Sequence, residues 1–393
     1  MKKHFNIANI YILLWCVYTL QGVLIPVGSF ISRMVFVVIM FISLYYAYVF
    51  LTTQKATRYF RAMNMLLVMF IVYGIILLMF GQTVKGLKVV SNHTYLQHTL
   101  MSFLPVYPFY IFSQKGLINK KMLFPWILVF VVLLTLNYRY NEQVILEQLG
   151  SEEVVNNMAY LVLVLIPIIC LFDDKRIIQY VLWGYCMFLI ISSFKRGAML
   201  IGAICFVFFM FRSIKASKGI KKYFILLGSI AVVFIGYKLI MDLMVNSDMF
   251  NRRLEATMEG DTSGRDSLYS AFWRIFSTEK NPLRFLIGYG ANGTLALVGQ
   301  YAHNDWLELA IDNGLLGIII YLNYWICFAK TWRTNKQVAP TIRFVFGMTL
   351  FIAFAKTLFS MSFSNTPFYV TLTIGYCLAH YDGCDVEFDE EIE

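Results

Sequence analysis

A few cations and one histidine are the residues of this 393-residue chain whose types and spacing could do chemistry. Lys195 and Arg196 lie in Ser193-Phe194-Lys195-Arg196-Gly197, between two apolar runs joined almost without a loop. A charge at that depth must face protein or a wet cavity. Arg265 follows Thr262-Ser263-Gly264, where Thr262 or Ser263 can cap a helix. It therefore belongs to a first turn whose unpaired N–H groups already favour an anion. His303 stands in Tyr301-Ala302-His303-Asn304-Asp305, just ahead of another helix that Asn304 or Asp305 can cap. Taken alone, a histidine in such a place is more often structural than functional, but the arginines of the preceding segment raise its interest. Guanidinium forks bind anions, and an imidazole can move protons near neutral pH.

The elements that hold these residues are membrane helices. The chain is 59% hydrophobic, 17% aromatic and only 14% charged, against about 25% charged in a soluble domain. So few charges cannot cover a water-soluble protein of this size. A bilayer core requires about 20 apolar residues per helix. Runs of that kind centre on 7–27, 34–51, 63–80, 98–113, 122–137, 154–172, 177–194, 197–212, 223–241, 315–332, 343–360 and 367–381. The fold expected is an all-α integral membrane protein with about 12 transmembrane helices. The run over 98–113 is the weakest, because Pro105 and Pro108 interrupt it. The first run is longer than a signal-peptide core and reads as an uncleaved anchor.

Charge placement orients the spans. With the N-terminus cytoplasmic, every inward loop carries at least two basic residues, among them Lys55, Arg58 and Arg61, then Lys175 and Arg176. This is the positive-inside pattern, with the C-terminus also cytoplasmic, and it absorbs most of the net charge of +10. No nucleic-acid partner is needed to explain the basic excess. The outward remainder is Arg33, Lys85, Lys88, Arg139, Lys195, Arg196 and the cations of one long loop over 242–302. Domain organisation follows: nine spans over 1–241, an extracytoplasmic loop over 242–302, three spans over 303–381, and an acidic cytoplasmic tail over 382–393.

Within the loop, a polar stretch from Asp248 to Glu259 can form a short helix. Leu268, Phe272, Ile275 and Phe276 then fall on one helical face, predicting an amphipathic helix on the membrane surface or against the bundle. Asn281-Pro282 ends it. Gly288-Tyr289-Gly290-Ala291-Asn292-Gly293 matches GxGxxG, but a dinucleotide fingerprint needs a preceding strand and a βαβ unit. A tight turn beside a ligand suits it better. Asn313-Gly314 reads as a helix C-cap before the next span. The cysteines show no disulfide or metal spacing.

Three pieces in order carry a resemblance: Ser193-Phe194-Lys195-Arg196-Gly197, Ser263-Gly264-Arg265, and the stretch from Ile287-Gly288-Tyr289-Gly290 through His303-Asn304 to Asn313-Gly314-Leu315-Leu316-Gly317. Over about 190–330 the chain resembles the O-antigen ligase and Wzy-type polymerase superfamily. The resemblance implies a GT-C-like helical fold with short amphipathic helices in the large loop. It also implies a glycosyltransferase of the bacterial inner membrane that assembles O-antigen or capsule polysaccharide. Its essential residues carry over to Arg196, Arg265 and His303. Lys195 stands where the family has a small residue, and is added as a second cation.

The implied donor is a glycan on undecaprenyl diphosphate, transferred to the hydroxyl of a lipid-linked acceptor. Charge-assisted bonds to the departing diphosphate are worth roughly 1.5–3 kcal/mol each, an electrostatic stabilisation of developing charge. With no acid before Glu142 and no DxD in an outward segment, an arginine-based site without metal or cofactor fits better. Glu142, Glu147, Glu152 and Glu153 remain as an exception. His303 is the candidate general base, and neighbouring guanidinium groups favour the neutral ring a base requires. Asp305 competes for that role, orients the imidazole, or caps the helix. Asn304, Tyr301, Gly290 and Arg139 are further candidate substrate contacts, with anchoring at the membrane interface the alternative for Arg139 and for Tyr301. Lys356, inside a span, is either functional or snorkels outward. Partners implied are the lipid-linked donor and acceptor, the bilayer and a chain-length regulator protein. Polymerase is the favoured activity. The alternatives are a ligase moving finished glycan to lipid A core and a lipid-glycan flippase.

Overall fold

The computed structural model describes residues 6–82, 94–149, 155–220, 265–334, 338–360 and 366–382, with isolated positions between 222 and 255. Among them the chain is all-helical and forms no strand. Within the expected span over 223–241 the described residues, among them Tyr223, Leu226, Leu227 and Ile230, are helical, and the others lie outside the described residues. Largely outside them too are the polar helix over 248–259, the expected caps Thr262 and Ser263, and the tail beyond Asp382. The chain divides into two compact units, one of residues 1–123 and 264–393, the other of 124–263.

Six helices among the described residues are long and apolar enough to cross a membrane. They are α2 (Phe30–Thr53), α3 (Arg58–Phe80), α6 (Lys120–Leu149), α9 (Arg196–Lys215), α14 (Gly314–Thr334) and α15 (Pro340–Phe359). Shorter apolar helices occupy other expected runs: α1 (Ile7–Thr19), α7 (Ala159–Ile169), α8 (Arg176–Ser192) and α16 (Phe368–Tyr381). Where one span was expected over 98–113, the chain forms α4 (Thr94–Phe103) and α5 (Val106–Gln114), broken at Leu104-Pro105. The residue before a proline avoids helical backbone, and Pro105 becomes the N-cap of α5. α6 in turn runs through the expected third outward loop and carries Arg139, Glu142 and Glu147 on its surface.

In the first unit α16 is the central helix, buried along almost its whole length. It packs against α5 with almost no side chain between them. A Cβ on Gly375 would stand 2.8 Å from Phe109 Cβ and 2.9 Å from both Tyr110 N and Val106 O. Small residues let apolar helices approach this closely. Polar groups inside the bundle find partners: Tyr11 Oη and Ser43 Oγ are 2.7 Å apart, and Ser43 also donates to Ile39 O at 2.7 Å. Asp382, the C-cap of α16, accepts from the hydroxyls of Tyr110 at 2.6 Å and Tyr59.

In the second unit the buried helix α7 packs against α8 and α9. Asn156, 1% exposed, organises its start. Its Nδ2 donates to Tyr138 O at 3.0 Å, its Oδ1 accepts from Asn141 Nδ2 at 2.8 Å, and its backbone N–H donates to Ser193 O at 2.9 Å. That last bond ties α6 and α7 to the turn that holds Lys195 and Arg196.

Replacing Gly375 with Val should overpack the α5–α16 contact and cost about 1–3 kcal/mol, read as a lowered midpoint of thermal unfolding in detergent. Gly184, whose Cβ position meets nothing within 4 Å, should accept Ala without loss.

Candidate active site

The last third of the chain builds its site from three short helices placed ahead of α14. These are α10 (Arg265–Ser277), α11 (Pro282–Ile287) and α12 (Gly293–Val298), followed by α13 (Asp305–Asp312). The face expected of α10 is the face it buries: Phe272 and Phe276 join a cluster with Ala302, Ala310 and Ile311, and Leu268 and Ile275 pack at its edge. Burying a phenylalanine of this kind contributes about 1.5–3 kcal/mol, enough to hold a short helix of otherwise polar composition. Asn281 starts a new helix instead of ending α10. Its Oδ1 accepts from Leu283 N at 3.0 Å, with Pro282 in the first turn.

The glycine-rich turn folds back onto the end of α13. Tyr289 N donates to Ile311 O at 2.8 Å, and Gly290 N to Asp312 O at 2.9 Å. Gly288 (φ +75°) and Gly314 (φ +65°) meet backbone to backbone. A Cβ on Gly288 would lie 2.5 Å from Asn313 N, and one on Gly314 2.6 Å from Gly288 N. Beyond the turn, Asn292 N and Thr294 N each donate to the Asp312 carboxylate at 3.0 Å. The acceptor cradled by the GxGxxG stretch is therefore a side chain of the protein itself. Gln82, just after α3, closes the other side by donating to Tyr289 O at 2.8 Å and Ala291 O at 2.9 Å. Gly290 is the glycine that this amide approaches, with its Cβ position 3.1 Å from Gln82 Nε2.

Glu308 performs the same service one turn earlier on α13. It accepts from Thr294 Oγ1 and from Ala302 N, each at 2.5 Å, and from the backbone N–H of His303. Glu308 and Asp312 are 1% and 3% exposed. Burial pushes the Glu308 carboxyl up to about 7. Burial and then the charge of Glu308 push Asp312 well above the usual aspartate range, against the pull of the backbone bonds. Neither acid is among the residues expected to form the site. The signal was present as Glu308-x-x-x-Asp312, two acids one turn apart in a run that otherwise reads as apolar.

Arg265, His303 and Asn304 come together at the C-terminal turn of α15. Arg265, first residue of α10, donates from Nη1 to Phe359 O at 3.2 Å. Asn304 donates from Nδ2 to Leu358 O at 3.3 Å. The Tyr269 hydroxyl reaches both Leu358 O and His303 O at 3.5 Å. His303 itself is exposed and adopts left-handed backbone, φ +54°. Tyr301 is half-buried two residues earlier.

The cap of α13 is Asn304 and not Asp305: its Oδ1 accepts from Trp306 N at 3.0 Å and Leu307 N at 3.2 Å. Asp305 is fully buried, accepts from Tyr321 Oη at 2.7 Å, and faces the charge of Lys356. Lys356 is itself 7% exposed, so it turns into the protein instead of snorkelling out. Trp306 donates from Nε1 to Thr357 Oγ1 at 3.0 Å, which completes the attachment of α13 to α15.

The remaining expected residues lie in the second unit. Arg196 is the first residue of α9 and is half-buried. Lys195 Nζ stands 5.9 Å from the centre of the Tyr160 ring, within cation–π range. The Ser193 hydroxyl accepts from Lys195 N at 3.1 Å, and Phe194 takes φ +53° to make the turn. Arg139 is an exposed residue of α6 and forms an ion pair with Glu142 at 2.8 Å. Among the described residues, the non-glycine positions with positive φ are Phe194, Asn292 and His303, one in each of the turns that carry the candidate motifs. Sparsely populated backbone of this kind costs about 1–3 kcal/mol and collects at functional sites.

These features define a multi-pass, all-helical membrane protein whose conspicuous polar residues sit in turns ahead of helices. Residues 181–322 match the Wzy_C family, described as O-antigen ligase, and over that stretch they bear out the resemblance to the O-antigen ligase and Wzy-type superfamily. No curated protein matches the chain.

Two outcomes are expected. The Glu308 proton is held more tightly in the folded chain than in the unfolded one, so its contribution to stability is full at acid pH and is lost as pH rises through about 7. Glu308→Gln should therefore lose less of its thermal midpoint between pH 5.5 and pH 8 than the wild type does. Lys356→Met should leave Asp305 buried without its cation, at a cost of about 3–5 kcal/mol, and adding Asp305→Asn should restore much of the loss in the same thermal measurement.

Proposed function

We propose that the protein is a glycosyltransferase that moves a glycan from undecaprenyl diphosphate to an acceptor hydroxyl, and that it acts as a polysaccharide polymerase on a lipid-linked repeat unit. The observation that carries this reading is the gathering of Arg265, His303 and Asn304 at the end of α15, in a chain whose residues 181–322 match an O-antigen ligase family. His303 takes the proton of the acceptor hydroxyl as its oxygen bonds to the anomeric carbon. The bond from that carbon to the diphosphate breaks, and the lipid diphosphate leaves with its electron pair. Arg265 and Arg196 hold the charge that develops on it through guanidinium forks, and the reaction calls on no metal. Lys195, Arg139, Asn304 and Tyr301 are the further residues assigned to substrate binding in this reading. Gly290 and Asp305 serve it through the turn and the helix start that they build. The site faces away from the cytoplasm at the inner membrane.

The ligase reading is favoured by one observation, the description of the matching family as O-antigen ligase. Reconstitution in liposomes separates the two. A lengthened lipid-linked product supports the polymerase, glycan on a different acceptor supports the ligase, and movement without a new glycosidic bond refutes both in favour of a flippase.

His303→Ala should abolish transfer while the protein still inserts and folds; product at the wild-type level would refute the base assignment. Arg265→Lys and Arg196→Lys should each lower kcat about a hundredfold, since an ammonium cannot form the fork. Full activity in both would refute bidentate phosphate recognition.

A further inference from the structure

The geometry points to Glu308 as the positioning residue for His303, holding the histidine's backbone in place through a carboxylate that never meets substrate. This inference rests on the proposed role of His303 as base. His303 needs an external hold. Its left-handed backbone is costly for any residue with a side chain, and the residue is exposed. Glu308 supplies the hold from beneath. Its side chain accepts from the backbone N–H groups of Ala302 and His303, consecutive residues of the turn. Its second oxygen accepts from Thr294 Oγ1 at 2.5 Å.

Thr294 makes this a shared structure. Its hydroxyl serves Glu308, while its backbone N–H serves Asp312 at 3.0 Å. The glycine-rich turn and the histidine turn are thereby registered against each other through one residue of α12. Asn304 and Tyr269 steady the other side of the histidine against the end of α15. Displacing a reacting group by about 1 Å can cost about a hundredfold in rate, so a carboxylate that fixes the turn acts on the chemical step without touching the reactants.

The test uses the full-length protein in proteoliposomes. The substrate is the lipid-diphosphate-linked glycan that accumulates in cells lacking the protein, and kcat and KM are measured separately. Glu308→Leu removes both acceptors and should lower kcat about a hundredfold while KM for the lipid-linked donor changes less than about threefold. Glu308→Gln keeps one carbonyl oxygen for the two N–H groups and should recover most of that loss. Thr294→Val, which keeps the N–H to Asp312 and removes only the hydroxyl, should lower kcat in the same direction by a smaller factor. Should Glu308→Leu fail to fold, Thr294→Val still decides. A kcat equal to wild type in that variant overturns the assignment, as does a change confined to KM in any of the three. His303→Ala is run alongside. If it retains transfer, the proposed function fails. If it abolishes transfer while the Glu308 and Thr294 variants leave kcat unchanged, only the positioning role fails.

Discussion

Two buried carboxylates, one helical turn apart on α13, are the constraint on which the last third of the chain depends. Burying an acid without partners is costly. Here the partners are backbone N–H groups and one hydroxyl: Asn292 and Thr294 for Asp312, and Ala302, His303 and the Thr294 hydroxyl for Glu308. Loops carry unpaired N–H groups that must be satisfied somewhere. Satisfying them with side chains from one short helix converts two irregular segments into parts of a single rigid piece. The glycines follow from this. Gly288 and Gly314 are where the turn and the helix end lie against each other with no room for a Cβ.

A second constraint acts at the end of α15. The last carbonyls of a helix have no partners within it and carry partial negative charge. Leu358 O and Phe359 O receive Asn304 and Arg265, while the preceding turn receives Trp306 at Thr357 and the charge of Asp305 at Lys356. One helix terminus thus gathers residues from two separate stretches of sequence. A guanidinium has five donors, and one of those on Arg265 is directed at Phe359 O. This directs the side chain, as the stabilisation of developing charge proposed for it would require.

The second unit solves a smaller version of the same problem. Lys195 ends a turn of three residues between two apolar helices and Arg196 opens the second helix, so the backbone must reverse at once. Phe194 adopts positive φ to make the reversal, and Ser193 and Asn156 close its hydrogen bonds. The asparagine ahead of α7 joins in shaping the turn through the bond of its backbone N–H to Ser193 O.

Much of the architecture was legible in residue order. Apolar runs of bilayer length, the amphipathic period of Leu268, Phe272, Ile275 and Phe276, and the Asn313-Gly314 helix end all depend on neighbours within a turn or two, which a linear reading can count. Arg265 at a helix start and His303 just before one are local facts of the same kind. Other features were not legible. Pro105 was visible as an interruption, but whether it kinks a span or divides it depends on what packs there. The GxGxxG stretch suggested a ligand, and tertiary structure fills its cradle with Asp312 from the following helix. Asp305 suggested a cap or a base; the fold buries it opposite Lys356 and hands the cap to Asn304. Sequence by itself determined that the chain is a multi-pass helical membrane protein and which residues could do chemistry, because both follow from side-chain type and short-range spacing. Only the tertiary structure decided which of those residues meet, and which acids serve the backbone instead of a ligand, because a carboxylate bonds whatever donors the folded chain brings to it.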